Sequence, residues 1–248
     1  AAQEAIGEGL NRYCPAQGIA ELLKAFVKKL SDFNNIHVET NQVLITAGAT
    51  GAFETVVQAL VVPGDEVIMF RPFYPYHRNA VLRNLGQIKI CDMHTPNWEF
   101  SKDEFEKCFT PKTKLVAIAN PNNPTGKVFT TDELEWIGNT AKERGVWCVM
   151  DEVYEYLTYD GRKHVSLGSI AGMENSTITM GSFSKTYSIT GWRVGYLSAP
   201  AKIMPQLIAI SDQLYVCAPT PFQYAIARSL ASLPSSYYED MRQAYEHK

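Results

Sequence analysis

The chain has 248 residues, 46% apolar and 20% charged, with 23 Lys or Arg against 26 Asp or Glu and a formal charge of −3. This balance excludes intrinsic disorder, supplies no basic surplus for a nucleic-acid footprint, and contains no run that reaches the roughly 18 apolar residues of a membrane span. The length is ample for a sizeable core in one large domain or two small ones.

In chain order, residues 19–30 place Ile19, Leu22, Leu23, Phe26, Val27 and Leu30 on one helical face. A polar stretch, SDFNN, leads to a β-branched strand, VLIT, at 43–46. The next segment predicts a glycine turn, a helix from about Thr50 to just before Pro63, and a Pro-Gly-Asp turn. Strand EVIMF (66–70), a helix near 76–85 and strand IKICD (88–92) follow, and Ser101 with Glu104 reads as a capping box. LVAIA (115–119), a helix from Thr131, VWCVMD (146–151), TITMG (177–181) and VGYLS (194–198) complete the series, and the pattern beyond residue 200 is mainly helical. Short apolar strands alternating with amphipathic helices predict an α/β fold. The expected form is a three-layer α/β/α sandwich on a mainly parallel, seven-stranded sheet.

Cys14, Cys91, Cys108, Cys148 and Cys217 form no CxxC pair and are odd in number, which favours a reducing, cytoplasmic setting over a disulfide framework or a structural zinc site. Cys91 and Cys148 lie in strand-like runs and are expected to be buried thiols. The histidines at 37, 77, 94, 164 and 247 show no ligand spacing, so no metal site is expected. The first ten residues carry neither a basic stretch nor an apolar run, so no targeting segment is expected.

In such sheets ligands bind at the carboxyl ends of the strands. The residues expected there are Gly48 to Gly51, Phe73 and Tyr74, Asn120 to Gly126, Asp151 and Tyr154, and Ser182, Ser184 and Lys185. Each has a bland reading. Gly48–Gly51 is an ordinary strand-to-helix turn or, more sharply, a phosphate cradle of free N–H groups. Lys185 alone reads as a surface lysine, Asp151 as a helix cap, and Phe73 and Tyr74 as a cover for the sheet edge. Taken singly none identifies a function; together they converge.

The segments NPNNPTG (120–126), DEVYEYL (151–157) and SFSKTYSITGWRVGY (182–196) resemble the pyridoxal-phosphate-dependent aminotransferases of fold type I, class I/II. YCPAQGIAELLKAF (13–26), ITAGATGAFE (45–54) and PGDEVIMFRPFYPYH (63–77) match in the same order, so the resemblance covers essentially the whole chain. The wording is most similar to the aspartate, aromatic and kynurenine aminotransferase branch. The resemblance implies an enzyme that moves an amino group between an L-amino acid and a 2-oxo acid in ping-pong fashion. Lys185 would hold pyridoxal 5′-phosphate as an aldimine and later shuttle a proton; Asp151 would pair with the pyridine nitrogen. Asn123 and Tyr154 would hydrogen-bond the phenolic oxygen, and Tyr74 would stack on the ring.

The phosphate would be held by the Ala49 and Thr50 backbone, the Ser182 and Ser184 hydroxyls and the planar fork of Arg193. Trp192 is read as packing. Tyr13 would reach the neighbouring subunit's site in a homodimer, against the alternative of a tyrosine packed beside Pro15. A C–S lyase or an aminocyclopropane-carboxylate-synthase-like enzyme would use the same cofactor residues, and a non-catalytic cofactor-binding or dimerisation domain is the reading from another class.

The family plan adds a small domain built from an N-terminal arm and the C-terminal third. Against it, residues 1–30 are expected to lead into the large domain, 31–230 to form it, and 231–248 to begin the connection onward. The arginine that clamps the substrate carboxylate belongs to the small domain in that plan, and no position here takes the role. These 248 residues are therefore expected to bind cofactor and to transaminate weakly or not at all.

Overall fold

In the computed structural model, which describes residues 1–248, a short helix α1 (Ala2–Gly7) precedes α2 (Ala20–Asn34). Leu22, Leu23, Phe26 and Leu30 of α2 are buried, as their spacing requires. The polar stretch after Leu30 does not interrupt this helix. It continues to a buried Asn34 and ends where Asn35 adopts the left-handed conformation, φ 55°.

Then come β1 (Val43–Thr46) and α3 (Gly48–Leu60). Helix α3 starts ahead of the expected Thr50 because Gly48, at φ +71°, turns the chain directly out of the strand. The series continues with β2 (Glu66–Arg71), α4 (Pro75–Arg83), β3 (Gln87–His94) and β4 (Glu99–Phe100). Next are α5 (Lys102–Lys107), β5 (Thr113–Ala119), α6 (Thr131–Glu143) and β6 (Trp147–Asp151). The last elements are β7 (Thr177–Ser182), α7 (Phe183–Thr186), β8 (Gly195–Ser198), α8 (Met204–Tyr215), α9 (Thr220–Ser232) and α10 (Ser236–Glu246). Ser101 caps α5 by accepting from the Glu104 N–H at 3.3 Å, which is the first half of the expected box.

The sheet has eight strands in the order β1-β8-β7-β6-β5-β2-β3-β4. Seven were expected; the eighth, β4, is two residues long, too short to show a period, and pairs antiparallel with the end of β3. The pairs β2/β3, β2/β5, β5/β6 and β6/β7 are parallel, whereas β8 runs antiparallel between β7 and β1.

Alternate strand residues face opposite layers. Leu115 and Ala117 pack with Val56, Val57 and Leu207 under α3 and α8. Val116 and Ile118 pack with Phe105, Leu134 and Ile137 of α5 and α6. At the β1/β8 end the second layer is α2 with α9, through Phe26, Ile45, Tyr196 and Ile226. Burying a side chain such as Leu115 or Phe26 completely is worth about 1.5–3 kcal/mol each, so three such clusters fasten the helices to the faces of the sheet. Cys91 and Cys148 are buried, and desolvation pushes both thiols up to about 12. No helix is long and apolar enough to cross a membrane.

Candidate active site

The polar ends of β1, β7, β6, β5 and β2 share one edge because these strands run the same way, and the antiparallel β8 begins at that edge. Its first residue, Gly195, pairs with both Thr46 and Ser182, the last residues of β1 and β7. Arg193 therefore emerges beside Gly48–Thr50 and Ser182–Lys185. A cavity of about 690 Å³ opens at this edge.

Ala49 and Thr50 line the cavity from the first turn of α3, whose N-cap, Ala47, offers no side-chain cap. The orphan N–H groups of that turn are a ready anion site. Ser182 and Ser184 also line it; the Ser182 hydroxyl donates to the Ser184 Oγ at 2.7 Å and accepts from the Ser184 N–H at 3.1 Å, which holds the short turn α7 against the strand. Lys185 lines the cavity from α7 and is half-buried. Arg193, with φ 53°, donates to the Thr190 carbonyl at 3.0 Å and lies against Gly48.

The backbones here approach too closely for any side chain at Gly195. A Cβ there would lie 2.5 Å from the Gly48 carbonyl carbon and 2.8 Å from the Ala49 nitrogen. Gly195→Ala is accordingly expected to cost about 1–3 kcal/mol by overpacking and to displace the α3 turn. A lowered melting temperature together with weaker anion binding in a titration would be the matching result; an unchanged anion affinity would contradict it.

Farther along the edge, β6 ends in Asp151. Its Oδ1 accepts from the Val153 N–H at 3.2 Å and its Oδ2 lies 3.0 Å from Nε2 of His77. His77 is buried on α4, with its ring 4.2 Å from that of Phe53 and edge-on to Tyr74. Nothing in the sequence marks His77 for a role: it stands alone in an aromatic stretch, and its partner lies four strands later in the chain. Tyr74 and Tyr154 both line the cavity. Burial, then the Tyr76 phenol and the Asp151 carboxylate, raise the Tyr74 hydroxyl above the usual phenol range. Burial and then Asp151 do the same for Tyr154, so it remains a proton donor through neutral pH.

Of the three amides in the Asn-Pro loop, two are sewn into the loop itself. Asn120 accepts from the Phe129 N–H at 3.0 Å and donates to the Val165 carbonyl at 3.2 Å, and Asn122 accepts from the Thr125 hydroxyl at 2.8 Å. Asn123 is the one that lines the cavity.

Every residue given a cofactor role thus lines the cavity except Tyr13, whereas Phe73, expected at the same edge, packs against the core cluster under α3 and α8. Tyr13 lies outside the cavity with 84% of its surface exposed, so it is not packed beside Pro15. Trp192 stacks on Phe222 with ring centroids 4.6 Å apart, in keeping with a packing role.

Along the sheet edge the order is an anion cradle on β1, β8 and β7, a lysine amine at the end of β7, a carboxylate on β6, and an amide and aromatic rings after β5 and β2. This donor set fits pyridoxal 5′-phosphate. The cradle suits its phosphate, Asp151 its basic ring nitrogen, Asn123 and Tyr154 its phenolic oxygen, and Tyr74 its flat ring.

The profile of the family described as aminotransferase class I and II matches residues 1–248. Among curated relatives, the chain is 36% identical over 250 residues to aromatic-amino-acid aminotransferase 2 of Thermococcus litoralis, covering 100% of this chain and 64% of the relative. It is 34% identical over 255 residues to human kynurenine–oxoglutarate transaminase 1, covering 96% of this chain and 60% of the relative. Among solved structures, the aromatic aminotransferase from Pyrococcus horikoshii OT3 superposes with a TM-score of 0.94 at 33% identity, covering 99% of this chain and 67% of that one. The chain therefore spans a little under two thirds of the length of the curated relatives it matches.

Proposed function

Because the chain belongs to the class I and II aminotransferase family, we propose that it binds pyridoxal 5′-phosphate at the sheet edge and serves the transfer of an amino group between an L-amino acid and a 2-oxo acid, with weak turnover at most by these 248 residues alone. The supporting observation is the single cavity in which Lys185, Asp151, Asn123 and Tyr154 stand beside an anion cradle. When bound, the cofactor supplies an electron sink for the charge that develops at the substrate Cα. Lys185 would hold the cofactor covalently, and its amine, when free, would carry a proton between the substrate Cα and the cofactor, a role for which its half-buried place in the cavity wall suits it. Asp151, braced by His77, presents its carboxylate to the ring nitrogen. Tyr154 and Asn123 would donate to the phenolic oxygen, and Tyr74 would cover the ring face. The α3 turn, the two serines and Arg193 hold the phosphate.

The exposed Tyr13 belongs to the same proposal. In a two-fold dimer each Tyr13 would complete the phosphate cradle of the other chain, and light scattering should then report a dimer that Tyr13→Ala weakens in cofactor affinity.

The decisive experiment adds pyridoxal 5′-phosphate, records the visible spectrum, and titrates aromatic amino acids, aspartate and kynurenine. Loss of the lysine-bound band with gain of the amine form of the cofactor identifies the donor. Release of pyruvate and ammonia without that gain would replace transfer by elimination.

A further inference from the structure

Behind the strand end that carries Asp151 lies a buried polar network for which the chemistry above has no use. Asp151, Val153 and Tyr154 line the cavity, whereas Glu152 and Glu155 between and after them are buried. Glu155 accepts from the Lys29 ammonium at 2.5 Å, the Asn34 amide at 2.8 Å and the Tyr196 hydroxyl at 3.0 Å. The same Asn34 amide reaches Glu152 at 3.2 Å, and Glu152 also meets the Ser166 hydroxyl at 2.6 Å and His164 Nε2 at 3.0 Å. Lys29 in turn donates to the Asn34 side-chain oxygen at 2.8 Å.

Lys29 is seated among aromatic rings, 5.2 Å from the Phe33 centroid and 5.5 Å from those of Phe26, Tyr156 and Tyr196. A cation held by ring faces and by a buried carboxylate is strongly fixed in place. Burial pushes the Glu155 carboxyl upward, but the Lys29 and His164 charges and the hydrogen bonds overcome it and hold it below the usual range. Glu152, Glu155 and His164 have potential ligand atoms within 4.8 Å of one another, and the Lys29 ammonium already pairs with Glu155. The cluster reads as an ion-pair network.

We infer that Lys29 and Asn34 are positioning residues for the cofactor site: from the end of α2 they grip Glu155 and Glu152, and through that turn they fix Asp151 and Tyr154 in the cavity wall. The turn spans five residues, so its cavity-facing and network-facing side chains cannot move independently. The backbone adds ties from Glu152 N–H to Met180 at 2.8 Å and from Glu155 N–H to Glu152 at 3.0 Å. Small displacements of groups that must meet a ligand in a set geometry weaken binding strongly.

The test compares Lys29→Met and Asn34→Leu in the full chain with Lys28→Met, a neighbour whose exposed ammonium pairs only with Asp32. Two readouts rest on the cofactor reading: pyridoxal 5′-phosphate affinity, and the pH midpoint of the visible band of the lysine-bound cofactor. The third, amide exchange across residues 151–157 without cofactor, does not. Well below melting, both network variants should bind cofactor about tenfold more weakly and shift the midpoint upward by about half a unit or more. The upward direction follows because a misplaced Tyr154 no longer draws on the phenolic oxygen, leaving it free to retain the neighbouring proton. Exchange across the turn should quicken about tenfold, Lys28→Met should match wild type, and Lys29→Arg should restore most of the loss. Should Lys29→Met fail to fold, Asn34→Ala, which keeps the ion pair, carries the same readouts. Variants that melt earlier yet keep wild-type affinity, midpoint and exchange would reduce the network to a structural role and overturn the inference. If the wild-type chain takes up no cofactor, the cofactor reading fails, and the exchange measurement alone decides whether α2 holds the turn.

Discussion

Lys185→Ala is expected to remove the absorbance of the lysine-bound form of pyridoxal 5′-phosphate and to lower any amino-group transfer by about three to four powers of ten. Two losses combine. The covalent attachment has no substitute, because Lys185 is the one lysine that lines the cavity. The proton at the substrate Cα also loses its carrier, and a positioned acid–base group is worth about 10²–10⁴-fold by itself. The cradle does not depend on the lysine side chain: the α3 turn, Ser182, Ser184 and Arg193 all remain. Cofactor should therefore still bind, reversibly and with the spectrum of a free aldehyde, and equilibrium dialysis should find it. A small amine added in millimolar amounts should restore part of the proton transfer, since the cavity left by the side chain opens onto the site. A band of the amine-bound form that survives in Lys185→Ala, with the cofactor not removable by dialysis, would place the attachment on another residue and remove the basis for the whole assignment.

How much of this was legible in the sequence depends on the range of the interaction that sets each feature. The strands β1, β2, β5, β6 and β7 are buried on both faces, so VLIT, EVIMF, LVAIA, WCVMD and TITMG are nearly unbroken apolar runs that announce themselves. The strand β4 is two residues long and exists only by pairing with β3, so nothing local marks it. The polar end of α2 looked like a connection because Asn34 is polar; it is buried because Glu152, Glu155 and Ser166, far along the chain, supply its partners.

The site shows the same division. Lys185, Asp151, Tyr154 and Asn123 stand in motifs dense enough to be recognised together. That Asn123 and not Asn120 or Asn122 faces the cavity is settled by hydrogen bonds inside the loop, which an amide-rich string does not display. The place of Arg193 depends on the antiparallel course of β8, a property of topology rather than of local pattern. His77 was invisible for the same reason: its function is a contact between α4 and the end of β6.

That contact defines the second large expectation. Asp151→Asn keeps the shape of the side chain and an oxygen able to accept from His77, but removes the negative charge. Losing one partner of a buried charge pair costs about 3–5 kcal/mol. At about 1.4 kcal/mol per factor of ten, that is a fall in amino-group transfer of roughly two to three and a half powers of ten. The attachment to Lys185 should persist, so the visible band should remain while turnover collapses, the reverse of the Lys185→Ala pattern in which the band itself is lost. His77→Phe separates bracing from charge. The ring can still stack on Phe53, whereas the hydrogen bond to Asp151, worth about 1.5–3 kcal/mol for a charged partner, is gone. A milder loss of about ten- to a hundredfold is expected. A cofactor analogue methylated on the ring nitrogen carries its positive charge permanently and has no need of a carboxylate to keep it. It should recover a substantial part of the activity in Asp151→Asn and little in wild type. If the methylated analogue leaves Asp151→Asn as inactive as before, Asp151 acts through shape rather than through charge, and the electrostatic role assigned to the end of β6 is wrong.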